Sequence, residues 1–104
     1  PFWLEFGSDL LVECKNWSSH RPLHEVATFT YKATRHKVKL AFFLSVAGFT
    51  SDARRTMRNQ AASSAEPLIV PLVGEDIERM LTRQEVFEEF LKERIREIKY
   101  LEKY

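Results

Sequence analysis

Four apolar runs along the chain predict β-strands, two of them short and two of them longer and almost continuously apolar. Strands are predicted at residues 1–4, 10–15, 38–46 and 68–73. The first two runs are short and β-prone, and the turn residues Gly7, Ser8 and Asp9 lie between them. The run at 38–46 is almost continuously apolar, which is typical of a central parallel strand. Pro71 interrupts the last run and predicts an edge strand or a short strand.

Helical periodicity predicts two helices between these strands, at residues 22–36 and 51–63. Pro22 suits the first position of the first helix. The predicted apolar face of that helix consists of Leu23, Val26, Ala27, Thr30 and Ala33. Thr50 or Ser51 is available to cap the second helix. A third helix opens on the acidic turn Gly74-Glu75-Asp76, which suits the positive end of a helix dipole.

A break near residues 82–83 is predicted to separate that helix from a long C-terminal one. The second of these helices carries an apolar stripe made of Val86, Phe87, Phe90, Leu91, Ile95, Ile98 and Leu101. The stripe is large for a helix added to a small core, and an exposed stripe of this size is typical of an interface. We therefore expect it to pack against this domain's sheet or against a second copy, as a homodimer.

The element order β-β-α-β-α-β-α predicts an α/β domain with a mixed sheet flanked by helices. A length of 104 residues predicts one domain. The longest uncharged apolar stretch, 40–50, is too short to span a bilayer. A single cysteine and the lack of a signal-peptide pattern suit a cytoplasmic protein. Residues 1–65 carry a net charge of +4 and residues 66–104 a net charge of −3, from counts of nine against five and seven against ten. This asymmetry indicates either an anionic substrate on the basic half or ordinary surface charge.

The predicted second strand ends in Glu13-Cys14-Lys15. Because side chains alternate along a strand, Glu13 and Lys15 should share one face while Cys14 points to the other, as a core residue. Lys and Glu are rarely buried unless they are paired. A carboxylate and an ammonium on one face at a strand end indicate a hydrolytic site. The other interpretation is an ion pair on an exposed strand.

The chain resembles a known family at residues 12–17 (VECKNW), 42–53 (FFLSVAGFTSDA), 68–72 (LIVPL) and 74–77 (GEDI). Together these segments are similar to the Mrr-type branch of the restriction endonuclease-like nucleases, the PD-(D/E)xK superfamily. The similarity covers roughly residues 8–81. It implies a restriction endonuclease-like fold and a metal-dependent DNA endonuclease domain within a larger protein. The alternative is a non-catalytic module of the same fold that binds nucleic acid or a protein partner.

By its motif position, the resemblance implies that Glu13 holds Mg²⁺ or Mn²⁺, and the Cys14 backbone carbonyl can supply a second oxygen ligand. Such an ion stabilises charge and lowers the pKa of an attacking water. Lys15 would orient or deprotonate that water, or neutralise the phosphorane. The family motif also has an acidic residue upstream. Asp9 is about 13 Å from Glu13 along an extended strand, which is too far. A hairpin turning at Gly7 would place Phe2 opposite Glu13. We therefore expect the sequence to be a fragment, truncated at its N-terminus, that cleaves DNA poorly.

Candidate DNA contacts lie at the start of the second helix. A helix that begins after a parallel strand offers backbone N–H groups to a phosphate, which makes Thr50 and Ser51 candidates. That role is compatible with capping. Arg54 and Arg58 lie one turn apart on this helix and are predicted to contact the DNA backbone, with a solvated face as the other interpretation. Trp17 either stacks on a base or closes the core under the strand end.

Overall fold

A parallel sheet of three strands, in the order β1-β2-β3, organises the fold. The computed structural model describes residues 2–7, 9–63, 65–83 and 87–100. The strands are β1 (Leu11–Lys15), β2 (Leu40–Ser45) and β3 (Leu68–Val73). Strand β2 is the central one, which explains its continuous apolar run. Strand β3 lies at an edge of the described sheet, as Pro71 predicts.

Four α-helices connect and cover these strands in the part of the chain that the structure describes. They are α1 (Leu23–Arg35), α2 (Ser51–Ala62), α3 (Gly74–Arg83) and α4 (Phe87–Lys99). Helices α1 and α2 contact each other, as expected if both parallel crossovers are right-handed and place them on the same face of the sheet. The core between them is aromatic: the Phe43 ring meets Phe29 edge-on at 4.9 Å and Phe49 at 5.2 Å between centroids. The predicted α/β class is confirmed. None of the described helices is long and apolar enough to cross a membrane.

The buried face of α1 differs from the predicted one. Val26, Phe29 and Ala33 are buried, whereas the predicted Ala27 and Leu23 are exposed. Positions 26, 29 and 33 follow the spacing of one helix face, and the bulky Phe29 ring directs that face to the sheet. Pro22 is the N-cap of α1 rather than its first helical residue.

The prediction of a strand at residues 1–4 is wrong, because Phe2–Phe6 forms a 3₁₀ helix. Residues three apart lie on the same side of a 3₁₀ helix, so Trp3 and Phe6 point together, with ring centroids 6.3 Å apart. Phe6 is buried in the core. The hairpin that would pair Phe2 with Glu13 therefore does not form. The sheet is parallel throughout the described residues, instead of mixed.

Contacts with α4 hold the 3₁₀ helix in place. The Trp3 Nε1–H donates to Glu88 Oε1 at 2.7 Å, and Lys99 Nζ lies 3.4 Å from Glu5 Oε2. The hydrogen bond from Trp3, with the nearby Lys92 ammonium, lowers the pKa of the Glu88 carboxyl from its ordinary value. The N-terminal segment therefore joins the fold through a helix more than eighty residues away.

The apolar stripe of α4 packs against its own domain. Phe90, Leu91, Ile95 and Ile98 are all buried in the core that includes β3 and α2. Val86, Leu101 and the Phe87 side chain lie outside what the structure describes. The stripe therefore offers no apolar surface for a second copy among its described residues, and the expectation of a homodimer through α4 is not supported.

Candidate active site

The carboxyl ends of the three strands are tied together at one edge of the sheet. The Val46 N–H donates to the Lys15 carbonyl at 3.1 Å, and the Gly74 N–H donates to the Val46 carbonyl at 3.2 Å. Gly74 is required here, because a Cβ at this position would lie 2.8 Å from the Val46 oxygen. The chain segments that follow β1, β2 and β3 therefore begin close together, at the carboxyl ends of the strands.

The loops that follow β1 and β2 are joined by a short parallel bridge. The Arg21 N–H donates to the Gly48 carbonyl at 2.8 Å, and the Thr50 N–H donates to the Arg21 carbonyl at 3.0 Å. Gly48 has a φ of +92°, a conformation that favours glycine, and its carbonyl also accepts the buried Ser45 hydroxyl at 2.7 Å. These bonds fix the loop of β1 relative to the start of α2.

The Glu-x-Lys motif lies on β1 as the alternation predicts. Glu13 and Lys15 are half-buried on one face, whereas Val12 and Cys14 on the other face are exposed. Cys14 is therefore not a core residue. The reason is that β1 lies at the edge of the described sheet, where the helices cover only the face that carries Glu13.

Each charged group of the motif has a neighbour of its own. Glu13 Oε1 accepts a hydrogen bond from Lys32 Nζ of α1 at 2.7 Å, and the Glu13 side chain keeps 23% of its surface exposed. Lys15 Nζ lies 5.1 Å from the centre of the Trp17 ring, within the range of a cation–π contact. The two charges of the motif are thus directed to different partners.

A cavity of about 390 Å³ opens at the same edge of the sheet. Val46, Phe49 and Val73 form its apolar part, and Thr50 and Ser51 line it from the start of α2. Its charged and titratable lining residues are His20, Arg54 and Glu75. The cavity therefore brings together three of the four predicted DNA contacts. Arg58, half-buried one turn further along α2, does not line it, and neither do Glu13 and Lys15.

The first turn of α2 is capped as predicted. Thr50 is the N-cap, and its hydroxyl oxygen accepts the Ala53 N–H at 3.2 Å. Ser51 Oγ lies 3.5 Å from the Arg54 guanidinium, so that Arg54 folds back over the start of its own helix. The start of α2, which is the positive end of the helix dipole, and one guanidinium therefore line the cavity, an arrangement that suits an anion.

The donors near Glu13 suit a metal ion that is shared with a substrate. Among the described residues, no three His, Cys, Asp or Glu side chains lie together as a metal site. The Lys15 carbonyl points to β2, so the carbonyl of Cys14, one residue earlier, points to the open edge of β1. Mg²⁺ is often held by one or two carboxylates, waters and substrate phosphates. One carboxylate and one carbonyl fit that pattern and do not form a protein-only site.

Three residues at this edge are not among the predicted site residues. Arg21 is almost fully buried, with only 3% of its surface exposed. His20 and Glu75 line the cavity. Their positions after β1 and β3 are the sequence signal that could have found them, because residues that follow parallel strands converge at one edge.

In open α/β sheets, ligands bind in crevices at the carboxyl ends of the parallel strands, which is where this charged cavity lies. The restriction endonuclease family model of the Mrr type matches residues 4–81. The chain therefore belongs to the Mrr restriction endonuclease family, and the resemblance of its motifs is confirmed. The match ends before α4. No curated protein and no solved structure matches the chain significantly.

Proposed function

We propose that the chain is a divalent-metal-dependent endonuclease domain that hydrolyses phosphodiester bonds in DNA. The observation that carries the proposal is the position of Glu13 and Lys15. They lie on one face of β1, near the carboxyl end of the sheet where α2 also begins, and the chain belongs to this nuclease family. The alternative is a non-catalytic module that binds DNA. One observation supports it: the Lys32 ammonium already occupies the Glu13 carboxylate that would bind the metal ion.

The proposed roles follow from the chemistry of each group. Glu13 and the Cys14 carbonyl would hold Mg²⁺ or Mn²⁺, which supplies charge neutralisation and a more acidic water when bound. Lys15 carries a positive charge beside them and stabilises the negative charge that develops on the phosphate. Because Glu13 is the sole acidic side chain on the described β1, we expect this chain alone to cleave slowly.

Nicking of supercoiled plasmid DNA tests this proposal, because a single break per plasmid is detected. We expect slow conversion to open circles with Mg²⁺ or Mn²⁺ and none with EDTA. DNA binding is measured separately, by anisotropy with EDTA present. Binding without nicking in either metal would favour the non-catalytic module. If neither binding nor nicking occurs, both functions are wrong for this chain.

The start of α2 is proposed to bind the DNA backbone through Thr50, Ser51, Arg54 and Arg58. Replacing both arginines with alanine is expected to flatten the dependence of log affinity on log salt by about one to two units. Arg55→Ala is the matched control, because its guanidinium is already bonded to Asp52 at 2.6 Å on the same helix. Equal slopes in the double variant and the wild type would assign both arginines to a solvated face.

A further inference from the structure

The exposed indole of Trp17 lies close to Lys15, one of the proposed catalytic residues. Trp17 follows β1 by two residues, and 55% of its surface is exposed. It does not close the core, so that interpretation of its role is wrong. An indole left this exposed in a loop has a large π surface available for contact. Base–aromatic stacking uses such a surface, and every nucleobase can take part.

A buried cation supports the ring from within the protein. The Arg21 guanidinium lies 4.2 Å from the centre of the Trp17 ring. It donates to the Ser19 carbonyl from two nitrogens, at 3.1 and 3.0 Å, to the Ser19 hydroxyl, and to Glu25 Oε2 at 2.8 Å. Its backbone is bonded to the loop after β2. The guanidinium is therefore fixed, and the indole rests on a rigid support.

This arrangement is organised before any ligand arrives. A flexible aromatic side chain loses freedom when it binds, whereas a ring already held on a fixed guanidinium loses less. Lys15 Nζ also lies over the Trp17 ring, 5.1 Å from its centre, so a second positive charge adjoins the indole. A base that stacks on Trp17 would thus have its own phosphate near Lys15, the residue proposed to act on the reacting phosphate.

We propose that Trp17 stacks on an unpaired nucleobase of DNA next to the phosphate that is cleaved. The paired bases of a duplex have both faces covered by their neighbours, so the ligand is a base in a single strand or a base displaced from the helix. The proposal rests on the proposed function for the choice of DNA as ligand. The indole, its fixed guanidinium and Lys15 together form the site.

Fluorescence of Trp17 tests the stacking directly. The chain has two tryptophans, so Trp3→Phe leaves Trp17 as the sole indole. We expect a thymidine oligonucleotide to quench this fluorescence on binding. An abasic strand of the same length keeps the phosphates and lacks the bases, and should bind without quenching. The same quenching measurement is made with a fully paired duplex and with a duplex that carries one bulged base. Quenching by the bulged duplex shows that a base displaced from the helix can stack on Trp17, whereas quenching by the thymidine strand alone shows that a single strand is needed.

Affinity provides the second measurement. Trp17→Ala is expected to weaken binding of the thymidine strand roughly ten- to a hundredfold, without changing the salt dependence, because stacking releases no counterions. Trp17→Phe should retain most of the affinity. Tyr31→Ala is the matched control: Tyr31 is also exposed, beside Arg35 at 5.9 Å, but lies on α1 rather than at the sheet edge.

Equal affinity for thymidine and abasic strands, or quenching by fully paired duplex as strong as by the strand, would overturn the proposal. The quenching measurement keeps the indole in place, so it stands even if Trp17→Ala fails to fold. Quenching without plasmid nicking would uphold the stacking site and contradict the nuclease activity. Nicking without quenching would do the reverse.

Discussion

Glu13→Gln is expected to reduce metal-dependent nicking by about 10²- to 10³-fold, the size of loss seen when one preorganised electrostatic contact is removed. The amide keeps the shape of the side chain but is a much weaker metal ligand than a carboxylate. DNA affinity should stay the same or rise slightly, since a negative charge is lost. Nicking rates and anisotropy titrations, measured on the same preparation, separate the two effects.

Lys32→Met is the control that decides between a catalytic carboxylate and a surface ion pair. It removes the ammonium that contacts Glu13 at 2.7 Å and leaves the carboxylate in place. The pair is partly exposed, so its loss should cost less than about 1 kcal/mol of stability. We expect nicking to be retained or faster. If Lys32→Met abolishes nicking as completely as Glu13→Gln, the catalytic role of the free carboxylate is contradicted.

The central part of the fold could be predicted because its signals are local. The apolar run of β2, the cap at Thr50 and the proline in β3 each depend on a few neighbouring residues. The first segment had a misleading local signal, since aromatic residues favour strands. Its true conformation depends on Trp3 reaching Glu88 and on Phe6 reaching the core, contacts between the two ends of the sequence.

The placement of the candidate site residues on the fold was partly predictable, because the alternation of side chains along a strand is also a local signal. Alternation placed Glu13 and Lys15 on one face of β1, but it could not tell which face the helices cover. Cys14 was therefore expected in the core and is exposed. The residue type does not mark Arg21 as buried: besides its neighbours Ser19 and Glu25, its burial depends on the bridge to the loop after β2, which is distant in the sequence.

A buried ion pair between α3 and α4 closes the free edge of β3. Arg94 of α4 forms two bonds with the Asp76 carboxylate of α3, at 2.7 and 2.8 Å, and donates to the Pro71 carbonyl at 3.0 Å. Asp76 also accepts the Val73 N–H at 2.8 Å. Pro71 and Val73 are two residues apart, so their peptide groups point to the same side, away from β2. The proline, which has no N–H, is tolerated there.

Arg94→Met is expected to destabilise the domain by about 3–5 kcal/mol, because it leaves the Asp76 carboxylate buried without its cation. A loss of this size is a large part of the stability of a small domain. Urea unfolding followed by circular dichroism measures it. Arg55→Met is the matched control: the Arg55–Asp52 pair is similarly short, at 2.6 Å, but exposed, and should contribute less than about 1 kcal/mol.

The double variant Arg94→Met with Asp76→Asn should lose less stability than the two single variants combined, since no charge remains buried. Equal effects of Arg94→Met and Arg55→Met would show that the edge of β3 is held by the apolar face of α4 alone.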